Sequence, residues 1–408
     1  MSWMGGSAST GVTGLERRLA RRILEASGDP RLRLVLWNSE ELRLSDAPAL
    51  GRVVLRERRV LRDLLLAPGS NGLGDAYASG ALEIEGDLPS VLKLAFAAPR
   101  RATPLRRAAW AWQLWRRRSR SRSKARANVH HHYDLGNDFY ARWLDRSMSY
   151  TCAYFPTPTA SLEEAQIAKH EHVARKLWLR PGERVVEAGC GWGSLALHLA
   201  RAHGARVTAY NISSEQIRYA REQARAQGLS DRVEFREDDY RNIAGSYDAF
   251  VSVGMLEHVG PENYRRLGRV IDRCLAPDGR GLIHSIGRVA RRPMDPWISR
   301  HIFPGAYAPT LEQMVAILSK RDFAVLDVED LRLHYEKTLA HWLERFEKNA
   351  AEIERRFDAR FVRTWRLYLA GSQASFHTSS LQLWQVAFAR SRSNAIPWTR
   401  AKLYAREA

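Results

Sequence analysis

The segment Gly189-Cys190-Gly191-Trp192-Gly193 sits where an apolar run, ERVVEAGCG, gives way to SLALHLARAHG. Glycines at this spacing let the backbone turn sharply and approach a ligand closely. The N–H groups at the start of the following helix suit a carboxylate or a phosphate. The next run, ARVTAYNIS, ends at Asn211 without the acid that a dinucleotide fold uses to bind ribose hydroxyls. Cys190 and Trp192 are bulky for a pyrophosphate cradle. The third run, RVEFRED, leads into Glu237-Asp238-Asp239-Tyr240, where an acid can meet an adenine amine. Together these features favour S-adenosylmethionine over a nicotinamide dinucleotide. Ser213 and Gln216 have the spacing of a capping box, so Gln216 reads equally as a helix cap and as a ribose contact.

The elements that position this loop are legible as alternating strands and helices. After a capped helix opening at Ser161 and Glu164, strand runs at ERVVEA, ARVTAYN, RVEFRE, YDAFVSV and RGLIHSIG alternate with helical runs. One helix per strand means a doubly wound, parallel α/β sheet. Right-handed crossovers then place the ligand at the carboxyl ends of the strands. After residue 335, Leu339, Leu343, Phe346, Ile353, Phe357, Phe361 and Trp365 fall on roughly one helical stripe, expected to pack over the sheet edge or the site. LQLWQVAFAR reads as a last strand or helix. Upstream, residues 33–66 read as short strands with a helix, and GSNGLGDAYASGALEIEG is rich in turn residues. A domain boundary is expected near 128, giving a basic N-terminal domain and linker at 1–128 and a catalytic domain at 129–408.

Charge separates the same two parts. The chain of 408 residues carries a formal net charge of +19, and residues 1–128 supply +12 of it. From Arg100 to Arg126 there are 11 basic residues and no acidic one, a surface that seeks a nucleic acid or an anionic membrane. Trp110, Trp112 and Trp115 interleave with these arginines. The small polar start shows no apolar signal-peptide core, and no apolar run reaches the roughly 20 residues needed to span a bilayer. Three cysteines without a C-x-x-C pair suit a reduced, cytoplasmic setting. No metal site is expected: His130-His131-His132 is assigned to the surroundings of the following HYDLGN turn, and His170 and His172 lie on different faces of a helix.

The segments HYDLGNDFYARWLD, MSYTCAYF, VVEAGCGWGSLALHLA, VSVGMLEHVG, LIHSIG, DPWISRHIFPG, HYEKTLAHW and LQLWQVAF occur in this order. Together, over about residues 70 to 390, they closely resemble the cyclopropane-fatty-acyl-phospholipid synthase family. The resemblance implies a Rossmann-like class I methyltransferase sheet with a smaller α+β N-terminal domain and helical insertions over the active site. It implies methyl transfer from S-adenosylmethionine to the cis double bond of a phospholipid acyl chain. Cofactor contacts are then implied at Tyr150, Thr151, Gly189, Cys190, Gly191, Trp192, Gly193, Asn211, Gln216, Asp239 and Tyr240. A bicarbonate ion is implied at Cys152, Glu257, His284, Tyr335 and the backbone near Ile286. Taken singly, Glu257 also reads as a helix-dipole partner, His284 as a core histidine, Cys152 as a buried thiol and Tyr335 as packing.

Many members of that family carry a cysteine where this chain has Ser372, so a thiol nucleophile at that position is ruled out. The resemblance shifts the expected polyanion from nucleic acid to the anionic inner face of a membrane, with peripheral attachment. No RNA-binding motif accompanies the basic run, which leaves an RNA methyltransferase as the weaker reading. The same chemistry with loss of a different proton would give a methylene- or methyl-branched chain. The oligomeric state is not set by the sequence, a homodimer being one option.

Overall fold

The computed structural model describes residues 11–66, 70–97 and 135–404. They fall into two compact units, Met1–Arg101 with Ala350–Thr378, and Ala102–Asn349 with Ser379–Ala408. The expected boundary at 128, the Trp-bearing basic stretch and His130–His132 lie outside the described residues.

In the first unit, Thr13 and Glu16 form a reciprocal capping box at the start of helix Gly14–Ser27, and Gly28 closes it in a left-handed conformation. A small sheet follows, built from β1 (Leu32–Val35), β2 (Glu41–Arg43), β3 (Gly51–Leu55) and β4 (Leu82–Gly86) in the order β2-β1-β3-β4. The stretch expected as turns contains the helix Ser70–Ala78 as well as β4. Helix Ala359–His377 packs on helices Ser70–Ala78 and Leu88–Ala97 of this unit. Arg363 is the reason it sits there. Its guanidinium lies 4.3 Å above the Tyr77 ring and donates to the carbonyls of Tyr77 and Leu82. The apolar stripe read from the sequence as continuous is therefore divided near Asn349 between two units.

The second unit is built on a seven-stranded sheet: β5 (Arg184–Ala188), β6 (Arg206–Asn211), β7 (Val233–Glu237), β8 (Tyr247–Val253), β9 (Leu275–Gly287), β10 (Phe323–Asp330) and β11 (Gln382–Arg390), ordered β10-β11-β9-β8-β5-β6-β7. β5 to β9 run parallel, and β11 runs antiparallel to both β9 and β10. LQLWQVAFAR is thus a strand. β5 and β8 are buried on both faces, which is why they read as nearly unbroken apolar runs. β5 lies between β6 and β8, so the strand order reverses there. In a Rossmann-like sheet that reversal opens the ligand crevice, and the glycine loop follows β5 directly.

Candidate active site

The glycine loop, the ends of β6, β7 and β8, and the segment 148–151 enclose one pocket. Gly193 closes the loop at φ 86° as the N-cap of helix Ser194–His203. The Ala196 N–H of that first turn is taken by the Glu187 carboxylate, and Ser194 and Leu195 line the pocket. Gly191 lines the pocket at φ 53°, and a Cβ built on it would meet nothing within 4 Å. A Cβ on Gly193 would instead come within 2.6 Å of Phe235. One glycine keeps the pocket open, and the other allows the helix to pack.

Of the cofactor contacts expected from the sequence, Tyr150, Thr151, Gly189, Cys190, Gly191, Trp192, Asn211, Gln216, Asp239 and Tyr240 all line this pocket, and Gly193 does not. Asn211 Nδ2 donates to the Gly191 carbonyl at 3.2 Å and to Gln216 Oε1 at 2.7 Å, tying the loop to the next helix. Ser213 caps that helix, but Gln216 does not turn back to it. Its side chain faces Asn211, so the reciprocal half of the capping box is missing. Asp239 is held by Arg241, whose Nε and Nη2 donate to its two carboxylate oxygens at 2.7 and 2.5 Å. Burial pushes the Tyr240 phenol up to about 12, so it stays protonated.

An aromatic wall leads away from the loop. Trp192 donates to Asn137 Oδ1 at 2.7 Å and packs on Tyr140 at 5.0 Å between ring centroids. Tyr140 packs on Tyr150 at 5.5 Å, Tyr150 on Trp342 at 5.3 Å, and Trp342 on Tyr335 at 5.9 Å. Tyr140, Trp143 and Trp342 are fully buried.

The five residues expected around bicarbonate do not line the cofactor pocket; strand register brings them together beside it. Glu257 Oε1 accepts the Ile286 N–H at 2.6 Å. Ile286 is opposite Leu383 across β9 and β11, and the Leu383 carbonyl accepts the Leu331 N–H at 2.8 Å. The Leu331 carbonyl in turn accepts from the Tyr335 amide at 3.2 Å and from Cys152 Sγ at 3.9 Å. The Ile286 N–H is therefore committed to Glu257, which departs from the expected role of this backbone as an anion contact.

Burial disfavours the charged form of both titratable groups here. It raises Glu257 to about 7, against the hydrogen bonds that lower it, and it pulls His284 down to about 3. His284 Nδ1 lies 3.1 Å from Gln385 Nε2. With that amide donating to Nδ1, the proton of the neutral ring belongs on Nε2. His284 Nε2 and Glu257 Oε2 are both buried with no hydrogen-bond partner among the described residues. The neutral imidazole N–H is a donor that fits a small oxyanion, and Glu257, raised to about 7, is poised to take a proton from such a group. The Cys152 and Cys190 thiols are pushed up by burial and stay protonated, so neither is a nucleophile.

Two pocket residues escaped the sequence reading. Lys169, fully buried, donates from Nζ to Thr151 Oγ1 at 3.0 Å and is lowered by burial to about 8. Glu187, buried in β5, is raised by burial to about 7, and its Oε2 has no partner among the described residues. An acid inside the apolar run VVEAG was the available signal for Glu187.

Residues 120–386 match the family described as mycolic acid cyclopropane synthetase. A probable fatty acid methyltransferase of Pseudomonas putida is 34% identical over 91% of this chain and 96% of its own. The cyclopropane-fatty-acyl-phospholipid synthase of Escherichia coli (strain K12) is 41% identical over 65% of this chain and 68% of its own. Among solved structures, a mycolic acid cyclopropane synthase complexed with SAH and CTAB aligns with TM-score 0.62 at 28% identity, covering 65% of this chain and 98% of that one.

Proposed function

The chain belongs to the mycolic acid cyclopropane synthetase family and is an S-adenosylmethionine-dependent methyltransferase, and from that premise we propose that it converts the cis double bond of unsaturated phospholipid acyl chains to a cyclopropane ring. The observation that carries this reading is the continuous aromatic wall from Trp192 to Tyr335, whose backbone N–H meets the Leu331 carbonyl on a hydrogen-bond path that runs through Leu383 to the strand of Ile286.

The open cradle at Gly191 fits S-adenosylmethionine, with Ser194, Asn211, Gln216, Asp239 and Tyr240 along the same pocket. Bound there, the cofactor supplies an electrophilic methyl group. An isolated alkene that takes up a methyl becomes a carbocation, and water would capture it. The half-buried Tyr150 and the fully buried Trp342 present rings that would keep water away and favour positive charge over their faces. Ring closure then needs a proton removed from the new methyl. Glu257 Oε2, near neutral pKa, can hold that proton, and His284 stays neutral behind it. A bicarbonate ion held by His284 Nε2–H and Glu257 would supply a small buried base. The reaction needs no covalent enzyme intermediate, consistent with protonated thiols and with Ser372.

The substrate's location would be the anionic inner face of a membrane, met peripherally through the arginine-rich stretch 100–126; no described helix is long and apolar enough to cross a bilayer. A second reading has one observation in its favour, the fatty acid methyltransferase name of the relative that matches nearly end to end. There a 1,2-hydride shift first moves the charge onto the methyl-bearing carbon, and the methyl then loses its proton to form a C=CH2 double bond instead of a ring, giving a methylene-branched product. Expression in a host with unsaturated lipids, followed by proton NMR of the extracted fatty acids, tests both. Strongly shielded ring protons are expected. Vinylidene protons in their place would replace the first reading with the second, and unmodified chains would refute both.

A further inference from the structure

Apart from the cofactor pocket, the second unit gathers three metal-ligating side chains that its methyltransferase chemistry does not use. We infer that Glu171, His198 and His203 form a binding site for a divalent transition metal ion of the zinc type. Glu171 projects from helix Leu162–Lys176, and the two histidines come from helix Ser194–His203, which packs against it. His198 Nε2 lies 2.5 Å from Glu171 Oε1, and His203 Nε2 lies 3.0 Å from Oε2. The ligand atoms all fall within 4.8 Å of one another. Zinc bonds of about 2.0–2.1 Å in a tetrahedron put ligand atoms roughly 3.3 Å apart, so small side-chain rotations suffice.

The chemistry of the donors agrees. Two imidazole nitrogens and one carboxylate, with the fourth position left to water, is a recurrent zinc set. A second observation points the same way. His170 is buried, its Nε2 has no partner among the described residues, and its ring lies 5.3 Å from that of His198. An unpaired imidazole nitrogen beside the triad is a costly arrangement for a purely structural network.

The ion has a way in, because His203 also lines a surface cleft with Trp178, Arg180, Ile396 and Lys402. With those cations and Arg201 near, the Glu171 charge is what makes a dication tolerable. The site's two histidines stand four and nine residues along the helix whose first residue lines the cofactor pocket, about 6 and 14 Å away along the axis. It would clip two helices together without touching the reacting groups.

The test uses the full chain, stripped with chelator and dialysed against ZnCl2, with bound metal measured by mass spectrometry. Wild type should retain one zinc per chain more than either Glu171→Gln or His203→Ala. Both variants should keep the far-UV circular dichroism and S-adenosylhomocysteine binding of wild type. Co2+ should give wild type, and neither variant, the visible absorption of a tetrahedral site. Other histidines, including His130–His132, are common to all three proteins and cancel in the difference. Equal zinc content in wild type and both variants overturns the inference. So does a wild-type protein that shows neither tetrahedral Co2+ absorption nor a rise in Tm with Zn2+, an outcome that stands even if the variants fail to fold.

Discussion

Cys152 and Tyr335 converge on one oxygen: the Leu331 carbonyl accepts from the Tyr335 amide at 3.2 Å and lies 3.9 Å from Cys152 Sγ. The thiol is therefore a neutral packing group in a polar turn. Cys152→Ser should keep turnover within about tenfold, and the native protein at pH 8 should resist alkylation at Cys152 while the urea-unfolded chain reacts. A hundredfold loss in the serine variant would return the thiol to the chemistry.

Glu257→Gln should lower turnover by at least about a hundredfold while leaving S-adenosylhomocysteine binding intact, as expected for a group that handles a proton. Its stability signature is separate. The folded pKa of about 7 lies above the ordinary 4.5, so the stability favouring the protonated, folded form is present at low pH and lost as pH rises from 4.5 through 7. The amide does not titrate. The Tm of the variant relative to wild type should therefore be higher at pH 8 than at pH 5, by the equivalent of about 3 kcal/mol at most. A pH-independent difference would contradict the buried, neutral carboxyl.

The two glycines of the loop should separate binding from folding. Gly191→Ala places a methyl in open pocket space and should weaken S-adenosylhomocysteine binding at least tenfold with a cost in stability of about 1 kcal/mol. Gly193→Ala drives a methyl into Phe235 and Ala220 and should cost about 2 kcal/mol or more, visible in the melting curve. Calorimetry and thermal melts on both proteins check the reversal.

Glu329 joins the helix Leu162–Lys176 to β10 by accepting from His172 Nε2 and Lys176 Nζ, each at 2.6 Å. Burial alone would raise its pKa, but these two partners outweigh that and hold it at about 2. The stability it provides is present above pH 4.5 and lost as pH falls toward 2. Glu329→Gln, which leaves the fully buried Lys176 with Asp327 as its remaining carboxylate partner, should cost about 2 kcal/mol at pH 7 after allowance for solvent screening. The gap from wild type in urea denaturation should narrow at pH 3.

The basic stretch makes a membrane prediction. Binding to anionic liposomes should weaken with salt, and neutralising Arg116–Arg118 should weaken it further by about 1 kcal/mol per charge. Equal binding to neutral and anionic vesicles would assign the arginines to compositional bias.

Much of this was legible in the sequence because it is written locally. The glycine loop, the strand–helix alternation and the Ser161–Glu164 cap depend on neighbours a few residues apart. What stayed hidden depends on distant pairings. Nothing near Ile286 announces that its N–H is taken by Glu257, 29 residues earlier. Lys169 reads as a solvated helix charge until tertiary packing buries it under Thr151. The stripe from Leu339 to Trp365 has a uniform period, and only Arg363 seated on Tyr77 shows that its second half belongs with the N-terminal unit. The sequence could not show that the Asn211 amide holds the Gln216 side chain away from Ser213, leaving the capping box without its reciprocal half.

The antiparallel pairing of β11 with β9 also sets an order of events for the nascent chain. The cofactor half of the site is assembled from consecutive elements, β5 to β8. The half that holds Glu257, Ile286 and Leu331 is fixed only when residues 382–390 come back, after the chain has left for the other unit and returned. Long-range pairings of this kind close late. During refolding, and during synthesis, the protein should regain cofactor affinity before it regains turnover. An early intermediate would hold its methyl donor while the reaction half is still incomplete.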